Sequence, residues 1–168
     1  MARRAATSTE KLYPKTLIVG VYAPYNRNIS PQHYYDEFTS LISTLGWPSD
    51  MTHFIRLRTT DNNIFFSKGK LEEIKKICDE NNIEQVIISE LLSPVQERNL
   101  EESLGCYVWD RERVILEIFK KAAHSSEGKI QVEMAEIDYL KTRIIGKGRE
   151  LSQQEGVIGS RGPGETEK

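Results

Sequence analysis

Short runs of apolar residues recur along the first two thirds of the chain, separated by segments with helical periodicity. The first run is continuous and rich in β-branched residues, which is typical of a strand buried on both faces. Strands that alternate with helices pair in parallel through right-handed crossovers. The pattern predicts an α/β fold, a small parallel sheet flanked by helices, with strands at Thr16–Tyr22, Thr52–Arg58, Gln85–Ser89 and Tyr107–Trp109.

The second run alternates in polarity where the others are continuous. Phe54, Arg56 and Arg58 are predicted on one face, and the apolar residues between them on the other. Such alternation indicates a half-exposed strand near an edge of the sheet. The apolar residues 64–66 are a candidate for a short further strand.

Capping residues mark the three helices between these strands. The helices are predicted to begin after Ser30, Ser67 and Ser93, because serine is a favoured N-cap. Proline follows the first and third of these serines and suits the first helical position. Gly46 and Gly105 are predicted to end those two helices.

The pattern changes after residue 110, where no further strand is predicted. Asp110 can cap one helix, and a break at Ser125–Gly128 precedes another at Lys129–Ile145. The second helix has an apolar stripe that needs a partner, either the flank of the sheet or a helix beyond a following glycine-rich segment. We therefore predict a mobile tail at 1–15, an α/β subdomain at 16–110 and a helical subdomain at 111–168. The last is expected to be the start of an α-helical hairpin. The stripe consists of Ile130, Met134, Ile137, Leu140 and Ile144.

The glycine-rich segment Gly156–Glu167 is the most unusual stretch of the sequence. Pro163 between two glycines excludes a helix or a central strand there. Arg161 stands among small residues, and nearby cations lie around further glycines, so phosphate oxygens could reach side chains and backbone amides. A flexible linker is the alternative. The other cations are Lys141, Arg143, Lys147 and Arg149.

Composition excludes several function classes. The net charge of −2 makes a global basic surface impossible, so nucleic acid must be bound by a local patch. Cys78 and Cys106 lack metal spacing and predict ordinary thiols in a reducing, cytoplasmic compartment. No apolar run is long enough for a membrane span. The chain shows no catalytic constellation, no metal site and no phosphate-binding loop, since Leu71 follows Gly69-Lys70 where such a loop needs Ser or Thr.

Five segments, in the same order, resemble the N-terminal part of the HflX family of ribosome-associated GTPases. The resemblance implies a ribosome- and RNA-binding domain that acts with the large (50S) subunit and its rRNA in ribosome splitting, recycling or biogenesis. It also implies a partner in the protein's own C-terminal G domain, which binds GTP and Mg²⁺, whereas no cofactor is expected in this part. The segments are Ser67–Ile74, Leu92–Glu101, Asp110–Arg111, Ile115–Phe119 and Glu127–Ala135, and beyond them Ile158–Thr166 resembles the signature loop of the family.

The predicted RNA- and ribosome-binding residues combine this resemblance with the basic, glycine-rich pattern. Gln153 replaces a usual family arginine, while Glu155 and Val157 replace usual glycines. The alternative function is an α/β domain that binds a small nucleotide or regulates a partner protein, since such sheets bind ligands beyond their strand ends. The predicted binding residues are Lys147, Arg149, Gly156, Gly159, Ser160, Arg161, Gly162 and Gly164.

Overall fold

A four-stranded parallel sheet forms the centre of the first part of the molecule. The computed structural model describes the backbone of residues 13–48 and 51–158, and the side chains of these residues up to 144. The strands are β1 (Thr16–Tyr22), β2 (Met51–Arg56), β3 (Gln85–Ile88) and β4 (Tyr107–Trp109). Their order is β2-β1-β3-β4, and all three pairings are parallel. The predicted α/β fold is confirmed, with the alternating run at a sheet edge.

The described residues contain five α-helices, and predicted caps lie at their ends, although the side chain of Ser67 forms no capping hydrogen bond. The Ser30 side chain accepts a hydrogen bond from the backbone N–H of His33, and Ser93 forms a capping box with Gln96. Gly46 ends its helix at φ 81°, in the left-handed region where glycine is favoured. The helices are α1 (Pro31–Leu45), α2 (Lys68–Asn81), α3 (Pro94–Leu104), α4 (Arg111–Ala122) and α5 (Ser126–Ile158).

The sheet separates two apolar clusters. On one face, Ile18 and Ile87 pack with Phe38 of α1 and Val114 of α4. On the other face, residues of α2 and α3 such as Ile74 pack against the odd-numbered residues of β1. All seven residues of β1 are buried, which explains why its sequence is continuously apolar.

The expected short strand at 64–66 is absent from the described part of the chain. Asp61 and Phe65 instead form an isolated antiparallel bridge, and Phe65 has φ 67°. The Oδ1 atom of Asp61 accepts hydrogen bonds from the backbone N–H groups of Asn63 and Ile64. This tight turn is built on the aspartate side chain. It holds Phe65 and Phe66 against the core although neither belongs to a strand of the sheet.

Helix α5 begins earlier and ends later than the sequence predicts. The Ser125 side chain caps it by accepting a hydrogen bond from the N–H of Gly128 at 3.0 Å. The helix continues through Gly146, Gly148 and Gly156 to Ile158. Glycine weakens a helix by about 1 kcal/mol but retains its N–H group, so it does not end the helix as proline does.

The backbone divides into two compact units, Met1–Lys121 and Ala122–Lys168. Helix α4 lies almost wholly in the first unit, where Val114 and Ile118 pack on the sheet. Among the described helices, none has the length and apolar content that crossing a bilayer requires.

Candidate functional site

The predicted RNA-binding residues fall at the end of α5 and beyond it. Lys147, Arg149 and Gly156 lie within the bounds of α5, but their side chains are outside the described residues. Residues 159–164, which include Arg161, lie outside the described residues altogether. The role of these residues therefore stays a prediction.

The described part of α5 carries the predicted apolar stripe on its surface. Buried Tyr139 is covered by the guanidinium of Arg143, whose Cζ lies 3.9 Å from the ring centroid. The stripe itself remains between 42% and 66% exposed. Its members are Ile130, Met134, Ile137, Leu140 and Ile144.

A buried carboxyl group occupies the carboxyl ends of β1 and β3. The chain turns to opposite sides of the sheet after these two strands, so this is the position where doubly wound domains bind ligands. Glu90 is only 5% exposed there. It accepts hydrogen bonds from the hydroxyl of Tyr25 at 2.6 Å, from Nδ2 of Asn26 at 3.2 Å and from the hydroxyl of Tyr34.

This cluster fills the switch point with the protein's own side chains. Burial raises the pKa of the Tyr34 phenol, and its hydrogen bond to Glu90 raises it further, so Tyr34 stays a donor. The Ser89 hydroxyl accepts a hydrogen bond from the backbone N–H of Val21 at 2.7 Å and ties β3 to β1. An acceptor-rich group in this position disfavours an anionic ligand such as a nucleotide phosphate.

A cationic cavity of about 550 Å³ lies beside this cluster, at the carboxyl ends of β1 and β2. Its lining includes the side chains of Arg27, Arg56 and Arg58, together with Tyr22 and Leu57. Its lining contains no carboxylate. The alternation correctly predicted that Arg56 and Arg58 are exposed, but β2 ends at Arg56 and not at Arg58, and the pattern did not indicate a cavity.

The segment Ser67-Lys68-Gly69-Lys70 begins α2 and has its own partners. The ammonium group of Lys70 lies 2.7 Å from Oε2 of Glu73, and this hydrogen bond lowers the pKa of the Glu73 carboxyl group. The imidazole of His53 lies 2.8 Å from the other oxygen of Glu73. The lysine thus serves an ion pair within the helix.

The two cysteines, remote in sequence, meet beside α2. Both are free thiols, and a hydrogen bond between them raises the pKa of Cys78 and lowers that of Cys106. Sequence spacing gave no signal for this contact. Among the described residues, no group of three or more histidines, cysteines or carboxylates could hold a metal ion.

Two family models match successive parts of the chain. The model described as GTP-binding GTPase N-terminal matches residues 32–120, and the GTP-binding GTPase Middle Region matches residues 122–168. The GTPase HflX of Flavobacterium psychrophilum is 34% identical over 155 residues, which are 92% of this chain and 38% of that protein. The GTPase HflX of Escherichia coli is 39% identical over 131 residues, 78% of this chain and 31% of that relative.

The fold also resembles that of a solved archaeal protein. The crystal structure of a GTP-binding protein from the hyperthermophilic archaeon Sulfolobus solfataricus, in complex with GDP, superposes with a TM-score of 0.60. The match has 23% sequence identity and covers 84% of this chain and 42% of the archaeal chain. At 23% identity, this match shows a shared fold.

Proposed function

Because the chain belongs to the HflX family of GTPases and corresponds to the N-terminal region of its members, we propose that it is the ribosome- and RNA-binding part of a cytoplasmic GTPase. In this proposal it associates with the large ribosomal subunit and its RNA during splitting, recycling or biogenesis of ribosomes. A G domain elsewhere in the protein binds GTP with Mg²⁺ and hydrolyses it.

The observation that carries this proposal is the family match over residues 122–168, which includes the glycine-rich segment. Helix α5 has 33 residues, so it is about 50 Å long. A helix of this length can carry the segment that follows it in sequence into a deep, RNA-lined site. Arg161 lies between Gly159 and Gly162, where no bulky neighbour keeps the backbone from RNA.

The guanidinium of Arg161 is the side chain best suited to hold RNA in that segment. It can donate two parallel hydrogen bonds to one phosphate, and small neighbours leave both donors open. We expect Arg161→Ala in the full-length protein to weaken large-subunit binding by roughly 1 to 3 kcal/mol, the scale of a charge-assisted hydrogen bond. The free energy of unfolding should change by less than about 0.5 kcal/mol.

The test is co-sedimentation of the full-length protein with large subunits, with and without a non-hydrolysable GTP analogue. Titrations at two salt concentrations should give a flatter salt dependence for the variant, by about one phosphate contact. Lys129→Ala, which removes an exposed cation at the start of α5, is the matched control and should bind as the wild type does. Equal affinity of the Arg161 variant and the wild type at both salt concentrations would show that Arg161 does not contribute to subunit binding. Absence of co-sedimentation in every nucleotide state would refute the proposed function.

A further inference from the structure

Strand β2, at one edge of the sheet, and the two residues after it expose an aromatic ring and two arginines in alternation. Phe54, Arg56 and Arg58 are exposed, whereas Ile55 and Leu57 between them are buried in the core. Among the described strands β2 pairs only with β1, so this face lies at an edge of the sheet. Together with Arg27, the three exposed residues form what we call the aromatic–arginine face.

The ring of Phe54 is held in place from below while part of it stays open. It stacks on the ring of Tyr35, with centroids 4.3 Å apart and planes inclined by 24°. It also lies directly on the backbone of β1, because a Cβ atom at Gly20 would come within 2.5 Å of its Cδ1 atom. Phe54 is nevertheless 47% exposed. A fixed, half-open ring is a stacking surface that loses little conformational entropy when it is covered.

The arginines of this face surround the cavity at the carboxyl ends of β1 and β2. The guanidinium of Arg56 lies 5.4 Å from the centroid of the Tyr22 ring. None of the three arginines forms an ion pair with a carboxylate of the described residues. Three cations brought together around one cavity repel one another, and a bound anion would relieve this repulsion.

The linings of two other cavities of the molecule contain carboxylates as well as other residues. The lining of the cavity at the start of α2 contains Asp61 beside Lys68, and the lining of the cavity beside β4 contains Glu84 and Glu101. The charge of the aromatic–arginine face is therefore a local feature, since the chain as a whole has a net charge of −2. Its sign complements a polyanion.

We infer that the aromatic–arginine face binds single-stranded RNA, with phosphates held by Arg27, Arg56 and Arg58 and a base stacked on Phe54. A positive groove beside an aromatic ring is the arrangement by which proteins hold unpaired nucleic acid. This inference rests on the proposed RNA-binding function and adds a second contact that is separate in sequence from the glycine-rich segment. The contact lies in the first compact unit, Met1–Lys121, which contains the sheet and which we call the sheet unit.

The geometry favours a strand of RNA over a single nucleotide or a duplex. Phe54 does not line the cavity that the three arginines share, so the ring and the cations offer separate positions for a base and for phosphates. A duplex covers the faces of its bases, which therefore cannot stack on Phe54. A nucleotide at the neighbouring switch point would meet the buried carboxyl group of Glu90.

The test measures binding of a fluorescein-labelled oligouridine RNA to the full-length protein by fluorescence anisotropy at several salt concentrations. The double variant Arg56→Ala, Arg58→Ala should bind roughly tenfold more weakly or worse. The slope of log affinity against log salt should flatten by about 1.4, the value for two phosphate contacts with a single strand. Phe54→Leu should weaken binding roughly five- to tenfold with an unchanged slope, because it removes stacking and no charge.

The matched control is the double variant Lys75→Ala, Lys76→Ala, which removes two exposed cations from α2. It should bind within about twofold of the wild type. If the Arg56→Ala, Arg58→Ala variant fails to fold, Arg27→Ala, in the turn after β1, provides a second test of the cavity. The inference is overturned if the arginine variants bind as tightly as the control does. It is equally overturned if stoichiometric ATP displaces the RNA and the same variants lose ATP binding, since the site would then belong to a nucleotide.

Co-sedimentation of the same variants with large subunits separates this inference from the proposed function. Normal RNA and subunit binding by the arginine variants would refute the inference and leave the function standing. Loss of oligouridine binding in these variants, without any subunit binding by the wild type, would support the face as an RNA site and refute the ribosomal function.

Discussion

The sheet unit and the described part of helix α5 differ in how far their apolar side chains are exposed to solvent. In the sheet unit, β1 is buried over all seven residues, and side chains such as Phe38 and Phe66 are at most 1% exposed. Along α5, the five residues of the apolar stripe are 42% to 66% exposed. The first region thus closes a core with its own residues, and the second leaves the apolar stripe open to solvent.

This difference indicates two sources of stability. Burial of apolar area stabilises the sheet unit by about 25 cal/mol for each Å² removed from water. Over residues 126–144, α5 buries little apart from Tyr139, so the stability of this part depends on helix propensity, capping and the cooperativity of a long helix. Substitutions should therefore have large effects in the sheet unit and small ones in α5.

The largest contrast is expected between two truncations to alanine. Phe38→Ala should lower the free energy of unfolding by about 3–5 kcal/mol, because it leaves a cavity in a closed core. Ile137→Ala should lower it by less than about 1 kcal/mol, since the isoleucine is already 52% exposed. Urea denaturation of both variants measures the difference.

Two spectroscopic signals distinguish the regions in that experiment. Both tryptophans of the chain, Trp47 and Trp109, lie in the sheet unit with ring centroids 4.6 Å apart, so their fluorescence reports that unit alone. Far-ultraviolet circular dichroism reports both regions. A destabilisation by Ile137→Ala as large as that by Phe38→Ala would show that the stripe is packed in solution, contrary to the comparison.

A smaller effect is expected at the switch point of the sheet. Tyr34→Phe removes a hydroxyl that donates to the buried carboxyl group of Glu90, and should cost roughly 1–3 kcal/mol of unfolding free energy. Tyr107→Phe is the matched control, since Tyr107 is 73% exposed and should tolerate the change within about 0.5 kcal/mol. Equal stability of the two variants would mean that the Glu90 cluster contributes nothing.

The same tyrosine predicts a pH dependence of the sheet unit. The pKa of Tyr34 is raised in the folded chain above the unfolded value of about 10, so the folded state keeps its proton longer. Its contribution to stability is complete below about pH 10 and is lost as the pH rises beyond that value. Urea titrations followed by tryptophan fluorescence from pH 8 upward should show a decline that is shallower in Tyr34→Phe. Parallel declines in variant and wild type would contradict this.

The smallest effect is expected within α5. Gly146→Ala should stabilise the helix by about 0.5–1 kcal/mol, because alanine loses less backbone entropy in a helix than glycine does. Helical circular dichroism should increase while the tryptophan-monitored transition stays in place. A shift of the tryptophan transition by the same free energy would show that the two regions unfold as one.

Local sequence patterns predicted most of the helices and strands, because burial, alternation and capping depend on residues that are close together in the chain. Continuous apolar residues identified β1, alternation identified the edge strand, and serine and glycine caps located the helix ends. The strand order and the meeting of Cys78 with Cys106 could not be predicted, since they depend on how distant segments cross. The length of α5 was underestimated because glycines weaken a helix without necessarily ending it.

The candidate sites were predictable to different degrees. The exposure of Arg56 and Arg58 followed from alternation, but Arg27 comes from a turn after β1, and only the fold brings it to the same cavity. No sequence pattern indicated the cluster around Glu90, because Tyr25 and Tyr34 precede this residue by more than fifty positions. The glycine-rich segment was identified from composition and resemblance, and its role remains a prediction.

The central position of β1 constrains how the chain folds as it leaves the ribosome. Val21 of β1 donates its N–H to Ser89, which lies 68 residues further along the chain. Until that residue emerges, the most apolar strand of the protein has an unpaired edge that other chains could join. Contacts between such distant segments slow folding, and domains fold as units during synthesis. In the nascent chain, β1 therefore stays open to pairing with other chains until residues 85–89 have been synthesised.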